Sequence, residues 1–485
     1  MVFNSFIFIL FFLAFFFTYW FIVNRNLKAQ NLFILLSSYV FYAWWDWRFL
    51  LLLIGSTFIN YLIGIQIGKT NNEKYRKYWL IIGLIEGIGL LVFFKYFNFF
   101  ISSFIELFSL FDVHLNVQTL KIILPIGISF YTFKTISYLI DIDNEKIEPT
   151  KNWVVFSAYI SFFPSLLAGP IDRANTFIPQ LEKKREFDYS QMVLGLKQIL
   201  WGLFKKLVIA DNCNTITNNI FNNYQNLPSS TLLLGAFFYI IQLYADFSGY
   251  SDMAIGFSRL IGFNLTKNFN YPFFAKNISE FWQRWHISLT SWMTEYVFTP
   301  LTFNFRKLKK TGLIIAIIIN FIIVGLWHGA NFTYLLFGFI QGCLFIPLIL
   351  KETLNNKKTQ VKSNIFLSFS EFLNIIGTFI LVMFSAVLLR SESIEQAFQF
   401  YAGIINKSIF SIPEFPNYKT ISLTTFLFII AMFLIEWFGQ NMNFAIEKTC
   451  AKWSRFKRWM FYSLLIFVIG MFMHTEETAF IYFQF

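Results

Sequence analysis

Two histidines stand where a histidine is costly to keep. Residues 312–345 read GLIIAIIINFIIVGLWHGANFTYLLFGFIQGCLF, and His328 is their only side chain that titrates near neutral pH. His286 precedes it in a tryptophan-rich segment, FWQRWHISLTSWM, and the whole chain holds only 4 histidines. Ionisable groups at membrane depth face a cavity or the protein interior and mark functional positions. An imidazole surrounded by apolar groups stays neutral because desolvation disfavours the cation. A neutral imidazole can take the proton of a hydroxyl. Gly325 and Gly329 flank Trp327-His328 and permit close approach of a backbone or a ligand. His328 is therefore a candidate general base and His286 a residue that positions donor or acceptor. The bland alternatives are a buried His328 bonded to a neighbouring helix and a His286 that shares an interfacial aromatic belt.

Further polar groups interrupt the same region. In IIQLYADFSGYSDMAIGFSR, helical spacing puts Gln242, Asp246 and Tyr250 on one face and Ser248, Ser251 and Asp252 on a neighbouring one, with Arg259 two turns beyond. This seam serves either helix–helix hydrogen bonding or substrate contact. GYSDM resembles a nucleophile elbow but lacks the final glycine and a strand–turn–helix setting, which argues against a serine hydrolase. Arg284, beside Trp285 and His286, would line a pocket for an anionic donor. Asp246, Ser251, Asp252, Arg284, Trp285, Trp327 and Asn331 form the candidate binding set. His114 and His474 sit in polar, loop-like stretches and carry no chemistry. No metal site is expected: His286 and His328 lack further ligands, and Cys213, Cys343 and Cys450 show no CxxC spacing.

The elements that must position these residues are membrane helices. Of 485 residues, 56% are hydrophobic and 14% charged, with 68 Phe and 14 Trp, more apolar surface than a soluble domain of this size can hide. Apolar runs of bilayer-crossing length recur from Val2 to Met460, which predicts about ten or eleven spans plus broken or re-entrant helices. The fold class is all-α and polytopic, in one membrane-embedded domain over residues 1–485. Within it, residues 1–112 are mainly scaffold, 125–342 bear the motifs, and 370–485 are C-terminal helices. Pro125 to Arg173 mixes Ser, Thr and Tyr with Pro164, Gly169 and Pro170, unlike a lipid-facing helix. The apolar run at Val2 has no basic segment before it, so it reads as a retained span rather than a signal peptide. Arg25 and Lys28, then Lys69 to Lys77, fall on one face, which predicts a cytoplasmic face there and an extracytoplasmic N-terminus. The formal net charge of +12 is dispersed over membrane loops, so the partners are anionic lipids rather than nucleic acid.

Several blocks together resemble the membrane-bound O-acyltransferase (MBOAT) superfamily, in its bacterial alginate O-acetylation branch, which also includes peptidoglycan O-acetyltransferases. They are PIGISFYTF (125–133), FFPSLLAGPIDR (162–173), GLFKKLVIAD (202–211), YADFSGYSDMAIGFSRLIGF (244–263), NFNYPFFAKNISEFWQRWHISLTSW (268–292), GLWHGANF (325–332) and the terminal FIYFQF (480–485). The resemblance implies the MBOAT fold, a rim of helices around a central tunnel. It implies His328 as the catalytic histidine and His286 as the second motif histidine. It further implies no permanently bound cofactor, acetyl-CoA as acyl donor, a polysaccharide acceptor, a separate extracytoplasmic transferase as partner, and residence in the bacterial inner membrane. The chain departs from the family pattern at Thr294-Glu295-Tyr296, at Phe337 and Gln341, and at Leu388 to Ser391. Two rival functions follow from the same residues: D-alanyl or longer-chain acyl transfer to teichoic acid, lipid or protein, and small-molecule transport through the polar seam.

Overall fold

The structure, a computed structural model, describes residues 1–113, 120, 122–353, 367–415, 419–448, 453–474, 478, 480 and 481. His114, Cys450 and the last four residues of FIYFQF lie outside them. The described residues are helical and irregular, without a strand. They group into two compact units, residues 1–192 with 257–266, and residues 193–256 with 267–485.

The first unit holds α1 (Phe6–Phe17), α2 (Leu27–Ala43), α3 (Trp47–Lys69), α4 (Glu73–Leu91), α5 (Phe97–Ser109), α6 (Ile128–Asp143), α7 (Trp153–Ser161), α8 (Phe163–Leu166) and α9 (Ala174–Glu182). Side-chain caps start five of them: Ser5, Asn26, Asp46, Asn72 and Asn152 each accept from a backbone N–H of the first turn. The span from Glu73 to Ser109 is only 11% buried, as a lipid-facing rim requires, whereas α6 is buried almost throughout. The polar residues of α6 to α8, Asp143 aside, therefore pack inside. Asp172 accepts from the Thr266 amide at 2.8 Å and its hydroxyl at 2.5 Å, and Arg185 donates to Gln30 and Asn31. The prolines and glycines between 164 and 170 break the chain into the short α7 and α8 at a place where the freed backbone is covered by protein.

In the second unit, α10 (Tyr189–Leu203) enters and continues through a π-helical stretch, Phe204–Ala210, into α11 (Asp211–Asn222). Then come α12 (Ser229–Leu260), α13 (Ile278–Arg284), α14 (Ile287–Met293), α15 (Thr299–Asn304), α16 (Lys309–His328), α17 (Phe332–Cys343), α18 (Ile346–Leu350), α19 (Phe369–Arg390), α20 (Ile394–Ile404), α21 (Lys419–Phe438) and α22 (Arg455–Phe472). The seam segment is one unbroken helix, and the window of α12 that could cross a membrane is 83% buried. Among the described residues, seven helices are long and apolar enough to cross a membrane, fewer than the number of apolar runs. The runs near Ile122 and Val154 become α6 and α7 with α8, each shorter than a bilayer, and the run near Leu194 becomes α10, the first part of a longer helix interrupted by the π-helical stretch.

α16 and α17 form a hairpin whose backbones touch. A Cβ on Gly325 would stand 2.2 Å from the Tyr334 carbonyl oxygen, and one on Gly338 would stand 2.2 Å from that of Phe321. Small residues of this kind let membrane helices approach closely, and here they fix the depth of His328 at the end of α16. Gly338→Ala must push the helices apart. It lowers stability by about 1–3 kcal/mol, read as a lower thermal midpoint of the detergent-purified protein; an unchanged midpoint would show that the hairpin is not close-packed.

Candidate functional site

His286 is placed by three short pieces of chain. α13 is capped by Asn277 and ends at Arg284, Trp285 is extended, and His286 itself adopts φ 43°, ψ 54°. That left-handed conformation is unfavourable for a residue with a side chain. Two backbone bonds hold it in place, Asn270 N–H to Arg284 O at 2.9 Å and Ile287 N–H to Asn268 O at 2.8 Å. Nδ1 of His286 lies 3.0 Å from Asn268 Oδ1. Ring contacts with Phe247 at 4.6 Å and Trp327 at 5.4 Å enclose the imidazole. His286 lies outside the seven long spans but is 1% exposed. Burial pulls its pKa well below the ordinary histidine value, and the neighbouring His328 adds to the effect.

His328 is the last residue of α16 and is buried. The Trp327 ring lies 5.0 Å from its ring and 5.4 Å from that of His286, so one indole touches both imidazoles. His328 lines a small cavity together with Trp282, Trp285, Phe337, Gln341 and Leu389. Phe337 meets the imidazole edge-on at 5.9 Å. Gln341 accepts from Trp282 Nε1 at 3.0 Å and donates to Ser385 at 2.7 Å, which locks two walls of the cavity. Trp282 and Gln341 thus engage each other's polar atoms, which leaves a mainly apolar lining beside the imidazole.

A second small cavity is polar. Ser251 and Asp252 line it, as do Lys205, Lys267, Asn268 and Glu436. Lys205 donates to Ser248 at 2.9 Å and pairs with Asp252 at 2.6 Å. Burial brings the Lys267 ammonium down to about 8, against the pull of Asp252 and Glu447. Among the described residues no group of three His, Cys, Asp or Glu side chains could hold a metal ion.

The structure thus brings His286, His328, Trp285 and Trp327 together and sets Ser251 and Asp252 on a separate, polar cavity. The remaining candidates do other work. Arg284 pairs with Glu280 at 2.5 Å within α13. Asn331 caps α17 and donates to the Glu392 carbonyl. Asp246 lines neither cavity; it pairs with Lys206 and accepts from the Ile481 amide at 2.7 Å. Lys205 and Asn268 were missed. Two lysines inside the apolar GLFKKLVIAD were a usable signal, since buried charge at membrane depth marks a partner. Asn268, in a polar loop, gave none.

The sequence profile of the MBOAT, membrane-bound O-acyltransferase family matches residues 149–387, which contain both histidines and both cavities' central walls. A protein named probable alginate O-acetylase from Pseudomonas aeruginosa is 35% identical over 441 residues, 90% of this chain and 81% of the relative. A peptidoglycan O-acetyltransferase from Helicobacter pylori is 32% identical, over 84% of this chain and 80% of its own. A teichoic acid D-alanyltransferase from Bacillus subtilis is 31% identical over a shorter stretch, 53% of this chain and 67% of its own.

Proposed function

The chain belongs to the membrane-bound O-acyltransferase family, and from that premise we propose that it passes an acetyl group from a cytoplasmic thioester, acetyl-CoA, toward hydroxyls of an exported polysaccharide. The acceptor class is alginate-like exopolysaccharide or peptidoglycan, after the names of the relatives that match most of its length. The observation that carries this reading is a buried histidine, His328, on a small apolar cavity, with a second imidazole one indole away. In the transfer, His328 takes the proton of the attacking hydroxyl as its oxygen bonds to the thioester carbonyl carbon. The C–S bond then breaks and the proton returns to the leaving thiolate, so the products are an ester and a free thiol. Ser251 and Asp252 bind polar groups of the substrates from the second cavity.

The basic residues Arg306, Lys307, Lys309 and Lys310 cluster at the start of α16 and His328 ends it. By the positive-inside rule this supports a His328 turned toward the extracytoplasmic face, where an exported acceptor and a separate transferase partner would meet it. The same rule supports an extracytoplasmic N-terminus, and apolar helical spans together with bacterial relatives support residence in the inner membrane.

Base-labile acetate released from washed envelopes and from secreted polysaccharide tests the proposal. A deletion strain is expected to lose it from one fraction, and that fraction identifies the acceptor. If acetate is unchanged and D-alanine esters fall instead, the acyl group is D-alanine and the acetyl reading is wrong.

A further inference from the structure

The bonds around Asn268 decide which nitrogen of His286 carries hydrogen. Oδ1 of Asn268 accepts from the Ser288 backbone N–H at 3.2 Å and from the Ser288 hydroxyl at 2.9 Å, while its Nδ2 donates to Ser251 Oγ at 3.1 Å. A backbone N–H can only donate, so the amide cannot be turned over without setting two donors against each other. The oxygen therefore faces His286 Nδ1 across 3.0 Å. An amide oxygen only accepts, so Nδ1 must hold the hydrogen, and in a neutral imidazole the lone pair is then on Nε2. Asn268 is itself 1% exposed, and its carbonyl accepts from Ile287, so both its backbone and its side chain grip the residues around His286.

We infer that Asn268 is a positioning residue that fixes neutral His286 as the Nδ1–H tautomer, so that His286 accepts a hydrogen bond through Nε2 from a hydroxyl of the acceptor and does not donate to the thioester carbonyl. The second half rests on the acyl-transfer reading above; the first half stands on the hydrogen bonds alone. With His328 taking the proton of the attacking hydroxyl, Nε2 of His286 receives a second hydroxyl, which a sugar supplies beside the first. The partner group orients the imidazole in the way that outer partners orient metal-bound or catalytic histidines.

The test is the ¹⁵N imidazole spectrum of full-length protein in nanodiscs, with His286 assigned by its loss in His286→Gln. Wild type is expected to show a protonated Nδ1 and an unprotonated Nε2; a protonated Nε2 overturns the inference without any variant. Asn268→Leu is expected to mix the tautomers and lower the acetyl-transfer rate by about 10- to 100-fold at equal membrane level. Asn268→Asp, which keeps an acceptor oxygen toward Nδ1, is expected to hold the tautomer and recover most of the rate. Asn268→Leu with the wild-type tautomer and rate also overturns the inference. If Asn268→Leu fails to accumulate, the wild-type spectrum decides. Because the spectrum needs no turnover, a wrong acyl-transfer reading shows in the acetate assay and a wrong tautomer in the spectrum.

Discussion

His328→Ala is expected to abolish polysaccharide acetylation, with base-labile acetate falling by about 10²- to 10⁴-fold, the range for removal of a general base. The size of the effect follows from the cavity. His328 is the titratable side chain on an apolar chamber where Gln341 is engaged by Trp282 and by Ser385 behind it. His286 lies one indole away rather than on that chamber, and water in so apolar a space is a poor substitute. Alanine also leaves space beside Trp327 and Phe337, so part of any loss could come from slack packing. His328→Gln separates the two causes: it fills most of the ring's volume but cannot act as a base, and it is expected to be as inactive as alanine. Both variants are compared at matched membrane levels. A His328→Gln protein with near wild-type acetate would show that the site needs shape rather than a base, and a His328→Ala protein that keeps acetate would make the chain a conduit.

Much of this site was legible because membranes make polar residues conspicuous. His328 stood out as a lone titratable group in an apolar run, and the structure sets it on a cavity with His286 one indole away. The spacing of the seam was right in the same way: α12 is one helix, and Ser251 and Asp252 share a polar cavity. What the pattern could not give was the partner of each polar group. Gln242 reaches Asn214 at 3.0 Å and Asp246 reaches Lys206, both structural bonds, while Ser251 faces Asn268. Arg284 was expected to meet a ligand and instead meets Glu280, one helical turn earlier on its own face. The number of full spans was less legible than the number of apolar runs. Apolar length alone does not distinguish a crossing helix from the short, buried α6 and α7.

Lys206→Met has the largest expected effect on stability, and it shows why Asp246 is better understood as part of the scaffold. The π-helical stretch brings the Asp211 amide onto the Lys206 carbonyl and so stacks Asp211 against Lys206. The Lys206 ammonium then lies 2.8 Å from Asp211 and 2.7 Å from Asp246, with side chains 2% and 4% exposed. The ammonium also sits over the Phe480 ring at 4.5 Å, and Asp246 accepts from Ile481, so the cluster ties the end of the described chain to α12. Removing the one cation leaves two carboxylates buried together, and breaking a buried pair from one side costs about 3–5 kcal/mol. Against the roughly 5–15 kcal/mol that holds a typical protein folded, this is a large fraction. The variant is expected to accumulate poorly and to melt far below wild type in detergent. Combining Lys206→Met with Asp211→Asn and Asp246→Asn removes the charges together, and replacing a whole buried ion cluster is often close to neutral. Because the Asp246→Asn change keeps an oxygen for the Ile481 amide, the triple variant is expected to regain most of the thermal midpoint. A Lys206→Met protein that melts like wild type would mean the carboxylates are not buried as charges. A triple variant that is stable but lacks acetyl transfer would return Asp246 to the list of residues that serve the chemistry.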